Sequence, residues 1–396
     1  MYLFCKIGGM YLNTEQIRSN IPILNSSIYL DTGNVGPLPL RTYRSMLNYL
    51  ETEFYNGRCL GNTRSRFQES LNVLKFELSN IVKCNPLELT ITDSTTYGIN
   101  IILWGFPFKE NDSILTTTFE HFSCLAALKS ISEYKNLKVD FYKASLGIFE
   151  IEEFFSMVTS KTKLIFISHV SYISGLQIPI KEICERAHEL GIFVLVDGAQ
   201  AVGGIPFDIK ELDVDFYAFP AQKWLLGPEG IGALYINSQI DEIVHPTFTG
   251  SSSFSNYNDF ECYTVANGGR KFEIGTRFKA NIIGFIDGIK WLNYEIGWDY
   301  IYQKINKQAS YAKQRLIEAN LFRGLNVFQT SNLIIILLPS NINVKTLVSS
   351  LANKYRIFVK GIEELNALRI SISFFNNDLD IDTFINILNA NMRKLL

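Results

Sequence analysis

The stretch Phe193–Leu234, FVLVDGAQAVGGIPFDIKELDVDFYAFPAQKWLLGPEGIGAL, decides how the rest of the chain reads. It opens with a short apolar run, Phe193 to Val196, that has the form of a buried parallel strand and stops at Asp197. Gly198, Gln200 and the pair Gly203-Gly204 follow as a turn-rich segment. A second apolar run, Val214 to Phe219, ends in Pro220-Ala221-Gln222 and delivers Lys223. After Trp224 and the turn Gly227-Pro228-Glu229-Gly230, a third run covers Gly232 to Ile236. An acid leaving one strand end and a lysine leaving the next converge on one crevice at the carboxyl edge of an open sheet.

Taken alone, Asp197 would read as a helix cap and Lys223 as a solvated side chain. Together, in this order, they are the pair that pyridoxal phosphate requires. The amine makes a Schiff base, and a buried carboxylate keeps the pyridine nitrogen protonated so that the ring accepts electrons. The strings VDGAQAVGG and QKWLLGPEGIGALY resemble the fold-type I enzymes of the class V aminotransferase family. That family includes cysteine desulfurases, selenocysteine lyase, isopenicillin N epimerase and kynureninase. The resemblance runs from about Tyr29 to the C-terminus. It implies an α/β fold: a large domain with a mostly parallel central sheet between helices, and a smaller C-terminal α/β domain. The implied division is an N-terminal segment, 1–24, packing with the small domain, a cofactor-binding domain, 25–285, and a small domain, 286–396.

Composition agrees with such an enzyme. A chain of 396 residues, 47% hydrophobic, buries a large core and is long enough for two domains. A formal net charge of -2 gives no electrostatic reason to expect nucleic acid. Six cysteines, at 5, 59, 84, 124, 184 and 262, have no paired spacing, so neither a disulfide framework nor a metal site is expected. Apolar stretches such as Leu333 to Leu338 are too short to span a membrane, and Met1 to Met10 carries no secretory cleavage signature. A cytoplasmic enzyme is the expectation.

Along the chain, Ile28 to Pro39 packs a strand into a Gly/Pro-rich loop. The resemblance brings this loop to the substrate side, with Asn34 and Val35 near the substrate. In Leu89–Trp104, LTITDSTTYGINIILW, a strand ends at Thr92 and a helix starts near Thr96. Free N–H groups and hydroxyls at that helix start make an anion site, which the resemblance assigns to the cofactor phosphate through Thr95 and Thr96. Phe119-Glu120-His121 follows another strand, and the family stacks a histidine here over the pyridine face, a role that falls to His121. After His169 the family commonly has an asparagine that contacts the ring hydroxyl; this chain has Tyr172, a phenol able to donate to the same oxygen or to line the substrate pocket. Ile180 to Leu190 shows Ile183, Ala187 and Leu190 at helical spacing, an amphipathic crossover helix that leads into the Asp197 strand.

The resemblance also places Gln200 and Gln222 among the cofactor-binding residues. The family often reads Ser-x-His-Lys at the lysine; here Pro220 replaces the serine and offers neither hydroxyl nor N–H, so one phosphate contact is lost. Gly275-Thr276 resembles the segment that reaches a partner subunit's phosphate, implying a homodimer with shared sites, and Arg277 beside it is placed to compensate. In the last third, Arg369 matches the arginine that binds the substrate α-carboxylate. Desulfurases carry a nucleophilic cysteine on a loop shortly before this arginine; Val359–Arg369 reads VKGIEELNALR, with no cysteine. The expected activity is therefore proton abstraction from an amino acid by Lys223, leading to carbon–sulfur β-elimination. Epimerisation and transamination remain open, as does a catalytically silent scaffold.

Overall fold

The computed structural model describes residues 12–58, 63–257, 263–319, 327–328 and 331–395. Cys5, Cys59, Cys262 and the start of the 1–24 segment lie outside the described residues. Seven strands make the larger sheet: β1 (Leu89–Thr92), β2 (Ser113–Thr117), β3 (Lys138–Tyr142), β4 (Thr162–Ser168), β5 (Phe193–Asp197), β6 (Phe216–Pro220) and β7 (Gly232–Ile236). Their spatial order is β1-β7-β6-β5-β4-β2-β3. Only β7 is reversed; it pairs antiparallel with both β1 and β6, and the remaining neighbours pair in parallel. Six strands therefore point their carboxyl ends at one edge. β4, β5 and β6 are almost wholly buried, which is why they read as unbroken apolar runs rather than as alternating ones.

Helices cover both faces. Those used below are α1 (Leu40–Asn56), α2 (Thr63–Val82), α3 (Thr95–Gly105), α4 (Phe122–Lys135), α5 (Ile180–Glu189), α6 (Lys279–Lys290), α7 (Trp298–Glu318), α8 (Val344–Tyr355) and α9 (Asp378–Leu395). The crossover helix α5 corrects one expectation. It packs through Ile180, Ile183, Cys184 and Ala187, whereas Leu190 is 58% exposed. The helix stops at Glu189, and Gly191 at φ +68° turns the chain before Leu190 can join the buried stripe.

A second, four-stranded sheet consists of β8 (Val327–Phe328), β9 (Leu333–Leu337), β10 (Lys360–Ile362) and β11 (Ala367–Ser371), in the order β8-β9-β11-β10, all antiparallel. It has its own core with α7, α8 and α9, built around Ile334, Ile336, Leu351, Leu368, Ile370 and Phe384. Residues 28–30, expected in the larger domain, join this unit: Ile28-Tyr29 pairs in parallel with Ile357-Phe358, and the Ser371 N–H donates to the Leu30 carbonyl at 2.8 Å, whereas Ile17, Ile21 and Leu24 of the 1–24 segment pack into the core of the larger sheet. Residues 285 and 286 both lie inside α6, and Phe285, Ile289, Trp291, Leu292 and Ile296 pack into the core of the larger sheet. The second core takes over along α7, from Ala309 onwards.

Candidate active site

The carboxyl edge of the larger sheet and one face of the smaller sheet enclose a cavity of about 930 Å³. At the end of β1, the Ser94 hydroxyl caps α3 by accepting the Tyr97 N–H at 3.1 Å. The first N–H groups of α3, at Thr95 and Thr96, have no partner within the helix and face a wall of this cavity. Asp93 would place a negative charge beside this anion-binding end, but Arg277 pairs with it and donates to the Ile91 carbonyl at 2.5 Å. Within its own chain the Arg277 guanidinium thus offsets the Asp93 charge. Thr276 is exposed and stands outside the cavity wall.

From the end of β2 comes Glu120, fully buried, accepting the Thr117 hydroxyl at 2.7 Å and the Ser168 hydroxyl at 2.5 Å. Burial lifts its carboxyl to about 7 against the pull of those two hydroxyls. His121 caps α4, its Nδ1 accepting the Ser123 N–H at 3.3 Å, so Nε2 carries the proton in the neutral ring. Burial, then the charge of Lys223, hold His121 below its ordinary value. Its ring meets the Tyr172 ring edge-on at 5.0 Å.

Asp197 ends β5, is 6% exposed, and is fixed at both oxygens. Oδ1 accepts the Ala199 N–H at 2.8 Å and Oδ2 accepts the Cys124 thiol at 3.4 Å. Lys223 follows the end of β6 on a tight turn: Leu226 N–H returns to the Lys223 carbonyl and Gly227 N–H to the Ala221 carbonyl. Leu226 takes a left-handed φ of +52°, a strain seen where a site over-determines its backbone. Burial brings the Lys223 amine down to about 8, with Asp197 opposing part of that fall. The loop of Asn34 and Val35 braces this turn. Gly36 N–H donates to the Gln222 carbonyl at 2.6 Å, and a Cβ at Gly36 would collide with the Lys223 carbonyl oxygen.

Gln200 lines the cavity and ties its walls together, donating to the Gly33 carbonyl at 2.7 Å and accepting the Trp224 indole N–H at 3.1 Å. Asn34 also lines the cavity and donates to Asp31 at 3.1 Å. Arg369 lies on β11, an interior strand, and is 2% exposed. One terminal nitrogen donates to the Tyr172 carbonyl at 3.1 Å, the other stands 3.9 Å from Asp31, and Nε is buried without a partner. Tyr172 thus supports Arg369 through its backbone while its ring packs on His121. Asp31, Cys124 and Lys360 were not anticipated from the sequence. Only the nine-residue spacing of Lys360 and Arg369, that of a short hairpin, could have hinted at the last.

The residues fit pyridoxal phosphate. Lys223 offers an amine of lowered basicity, Asp197 a fixed buried carboxylate, and the α3 start a set of free N–H groups beside hydroxyls. Gln222 lines the same wall, where its amide N–H2 is the group able to donate to an anion; its Oε1 is buried with no partner and can only accept.

Known proteins are similar to this chain in sequence and in fold. The family model described as Aminotransferase class-V matches residues 28–384. A "probable cysteine desulfurase" of Borreliella burgdorferi is 29% identical over 412 residues, spanning 96% of this chain and 97% of that one. The cystine C–S lyase C-DES, in complex with its reaction product cysteine persulfide, superposes with a TM-score of 0.87 at 25% identity, over 93% of this chain and 99% of that one. A C-DES variant with glycine covalently linked to its pyridoxal phosphate cofactor gives 0.89 at 24% identity, over 94% and 98%. Fold and site together define a pyridoxal-phosphate-dependent enzyme of fold type I. The chain belongs to the class V aminotransferase family.

Proposed function

We propose that this enzyme is a carbon–sulfur β-lyase for amino acids in which the sulfur is already substituted, and that the sulfur leaves as a free product instead of being captured on the protein. The hairpin before Arg369 carries this reading. β10 ends at Ile362, one short turn spans Glu363–Leu365, Asn366 adopts a left-handed φ of +46°, and β11 starts at Ala367. So tight a connection holds neither a cysteine nor a loop able to carry one to the substrate. The described thiols are also poor nucleophiles: burial pushes Cys84 up to about 12 and raises Cys124 and Cys184. The likeness to a cystine C–S lyase supports the same reading.

When bound, pyridoxal phosphate supplies the electron sink that acidifies the substrate Cα–H. Thr95, Thr96 and Gln222 would hold its phosphate through N–H and O–H donors, His121 would flank its ring and Asp197 would keep its ring nitrogen charged. Arg369 receives the substrate carboxylate with its unpaired Nε and a terminal nitrogen, and Tyr172 and Asp31 fix the plane of that fork. Lys223 Nζ, once neutral, takes the Cα proton. The Cβ–S bond then breaks with its electron pair going to sulfur, and the proton balances the departing thiolate. With those bonds broken, addition of water to what is left of the substrate would yield pyruvate and ammonium. Each R–S–CH2–CH(NH3+)–COO− with one water thus gives one thiol, one pyruvate and one ammonium, with no external oxidant or reductant.

The test is product analysis with S-substituted cysteines and cystine, repeated on six single Cys→Ser variants. Equimolar pyruvate, ammonium and thiol or persulfide are expected, and each variant keeps most of the rate; at position 124 serine still donates to Asp197. Racemisation or pyridoxamine accumulation without pyruvate would overturn the reading. So would loss of activity in one folded Cys→Ser variant.

A further inference from the structure

One buried carboxyl group in the cofactor half takes no part in the proposed reaction. Glu120 joins the ends of two strands: Oε1 accepts the Thr117 hydroxyl of β2, and Oε2 accepts the Ser168 hydroxyl of β4. Thr117 Oγ1 in turn accepts the Phe119 N–H at 3.1 Å, and Thr117 stands off the cavity wall. Ser168 is placed differently. It lines the cavity and lies beside Asp197 in the parallel register of β4 with β5. Neighbours in register leave the same face of a sheet, so the Ser168 hydroxyl and the Asp197 carboxylate share that edge.

The protonation state of Glu120 decides where the Ser168 proton points. An ionised carboxylate only accepts, so both hydroxyls donate to it. A protonated carboxyl has one O–H of its own to donate, and one of the two hydroxyls must then reverse. Thr117 keeps its donor role, because the Phe119 N–H already occupies it as an acceptor. Ser168 Oγ receives no such bond among the described residues. The added proton therefore sits on Oε2 and is donated to Ser168 Oγ, and the Ser168 proton turns to the sheet edge, where Asp197 is the neighbouring anion.

Burial brings the Glu120 carboxyl to about 7 against the pull of the two hydroxyls, and the Asp197 charge adds to the rise. Burial raises the Cys124 thiol and the Tyr172 phenol, with the Glu120 charge contributing to each, so both stay protonated. His121, next in the chain, is held low by burial and by Lys223 and stays neutral. Glu120 thus changes state near neutrality while these neighbours hold theirs.

We propose that Glu120 is a positioning residue for Asp197: ionised, it holds the Ser168 hydroxyl away from Asp197; protonated, it releases that hydroxyl to donate to Asp197. A donor on Asp197 draws off part of the negative charge that would keep the cofactor's ring nitrogen protonated, and the electron sink weakens. The more active form has Glu120 charged; it is present above about pH 7 and is lost as pH falls through that value. This rests on the role proposed for Asp197, and not on the fate of the sulfur.

The first measurement uses cofactor-free protein. Infrared difference spectra between about pH 6 and pH 8 should show a protonated-carboxyl band lost with a midpoint near 7, and Glu120→Gln should lack it. An identical band in both proteins overturns the proposal. The second measurement follows exchange of the α-proton of L-alanine in heavy water on the holoenzyme, by proton magnetic resonance. Alanine has no sulfur to lose, so the result is independent of the lyase reading. Exchange should fall roughly three- to tenfold from about pH 8 to pH 6 in the unaltered enzyme. Glu120→Gln, whose amide donates to Ser168, should stay at the low level throughout. Ser168→Ala, which keeps Glu120 and its infrared band, should stay at the high level throughout. A pH step that survives in Ser168→Ala overturns the proposal, as does a uniform loss in both variants with the step intact.

Discussion

The two halves of the cavity are made in different ways. The cofactor half is assembled at the ends of β1, β2, β5 and β6, where each functional side chain sits within a few residues of a buried strand. The substrate half is assembled by meeting: Arg369 and Lys360 from one sheet, Tyr172 from the loop after β4, and Asp31 from a segment near the start of the chain. The first arrangement inherits the rigidity of a buried parallel sheet. The second depends on long-range register between segments far apart in sequence. On the proposed reading, chemistry common to many substrates falls to the first half and discrimination among substrates to the second.

Substitutions in the two halves should therefore separate in kind, and a failure to separate would break the comparison. The largest effect is expected for Lys223→Ala, which removes the amine proposed to move the proton; kcat should fall by about a thousandfold or more while the protein stays folded. Borohydride reduction and peptide mapping of the unaltered holoenzyme should find the pyridoxyl mass on this residue alone. Asp197→Ala should lower kcat by roughly a hundred- to a thousandfold, with cofactor retained in part through the phosphate contacts. Arg369→Ala belongs to the other half. It should cost about a hundredfold in kcat/KM, largely in KM, and leave the cofactor spectrum as it was.

Two smaller effects sharpen the picture of the cofactor half. Because the Lys223 amine is depressed to about 8, it is mostly charged at pH 7 and mostly neutral at pH 9. The rate at which cofactor-free enzyme captures pyridoxal phosphate should rise about tenfold between those values and then level, as stopped-flow absorbance would report. A rise continuing to pH 11 would mean that burial does not depress this amine. Arg277→Ala should weaken cofactor affinity by only about three- to fivefold, because the Asp93 charge is then left unpaired beside the phosphate end of α3. The double variant Asp93→Asn/Arg277→Ala should restore it.

The same division explains what could be read from the sequence. Asp197 and Lys223 were legible because a buried parallel strand shows itself as an apolar run, and the residue that ends the run is the one at the sheet edge. Thr95, Thr96 and His121 follow the same logic at neighbouring strand ends. Arg369 was legible only through family likeness, and its partners Asp31 and Lys360 were not, because no periodicity reports which strand of a second sheet will lie opposite which. For Arg277 the partner within its own chain was not legible, for a related reason. Its proximity to Thr276 was visible, whereas its partner Asp93 lies far back along the chain. Leu190 kept its place in a helical pattern that the glycine after it had already ended.

The pairing of Ile28-Tyr29 with Ile357-Phe358 has a consequence for synthesis of the chain. The partner strand leaves the ribosome about 330 residues later; at about 5–20 residues per second the wait is roughly 15–65 s. Through that time the larger sheet can fold, yet the Asp31 loop has no strand to lean on and Arg369 has not been made. The nascent enzyme can therefore own a complete phosphate cup and reactive lysine before it owns any means of choosing a substrate. Early cofactor capture would hold Lys223 in covalent form during the interval, so that vitamin supply bears on the yield of the finished protein as well as on its turnover.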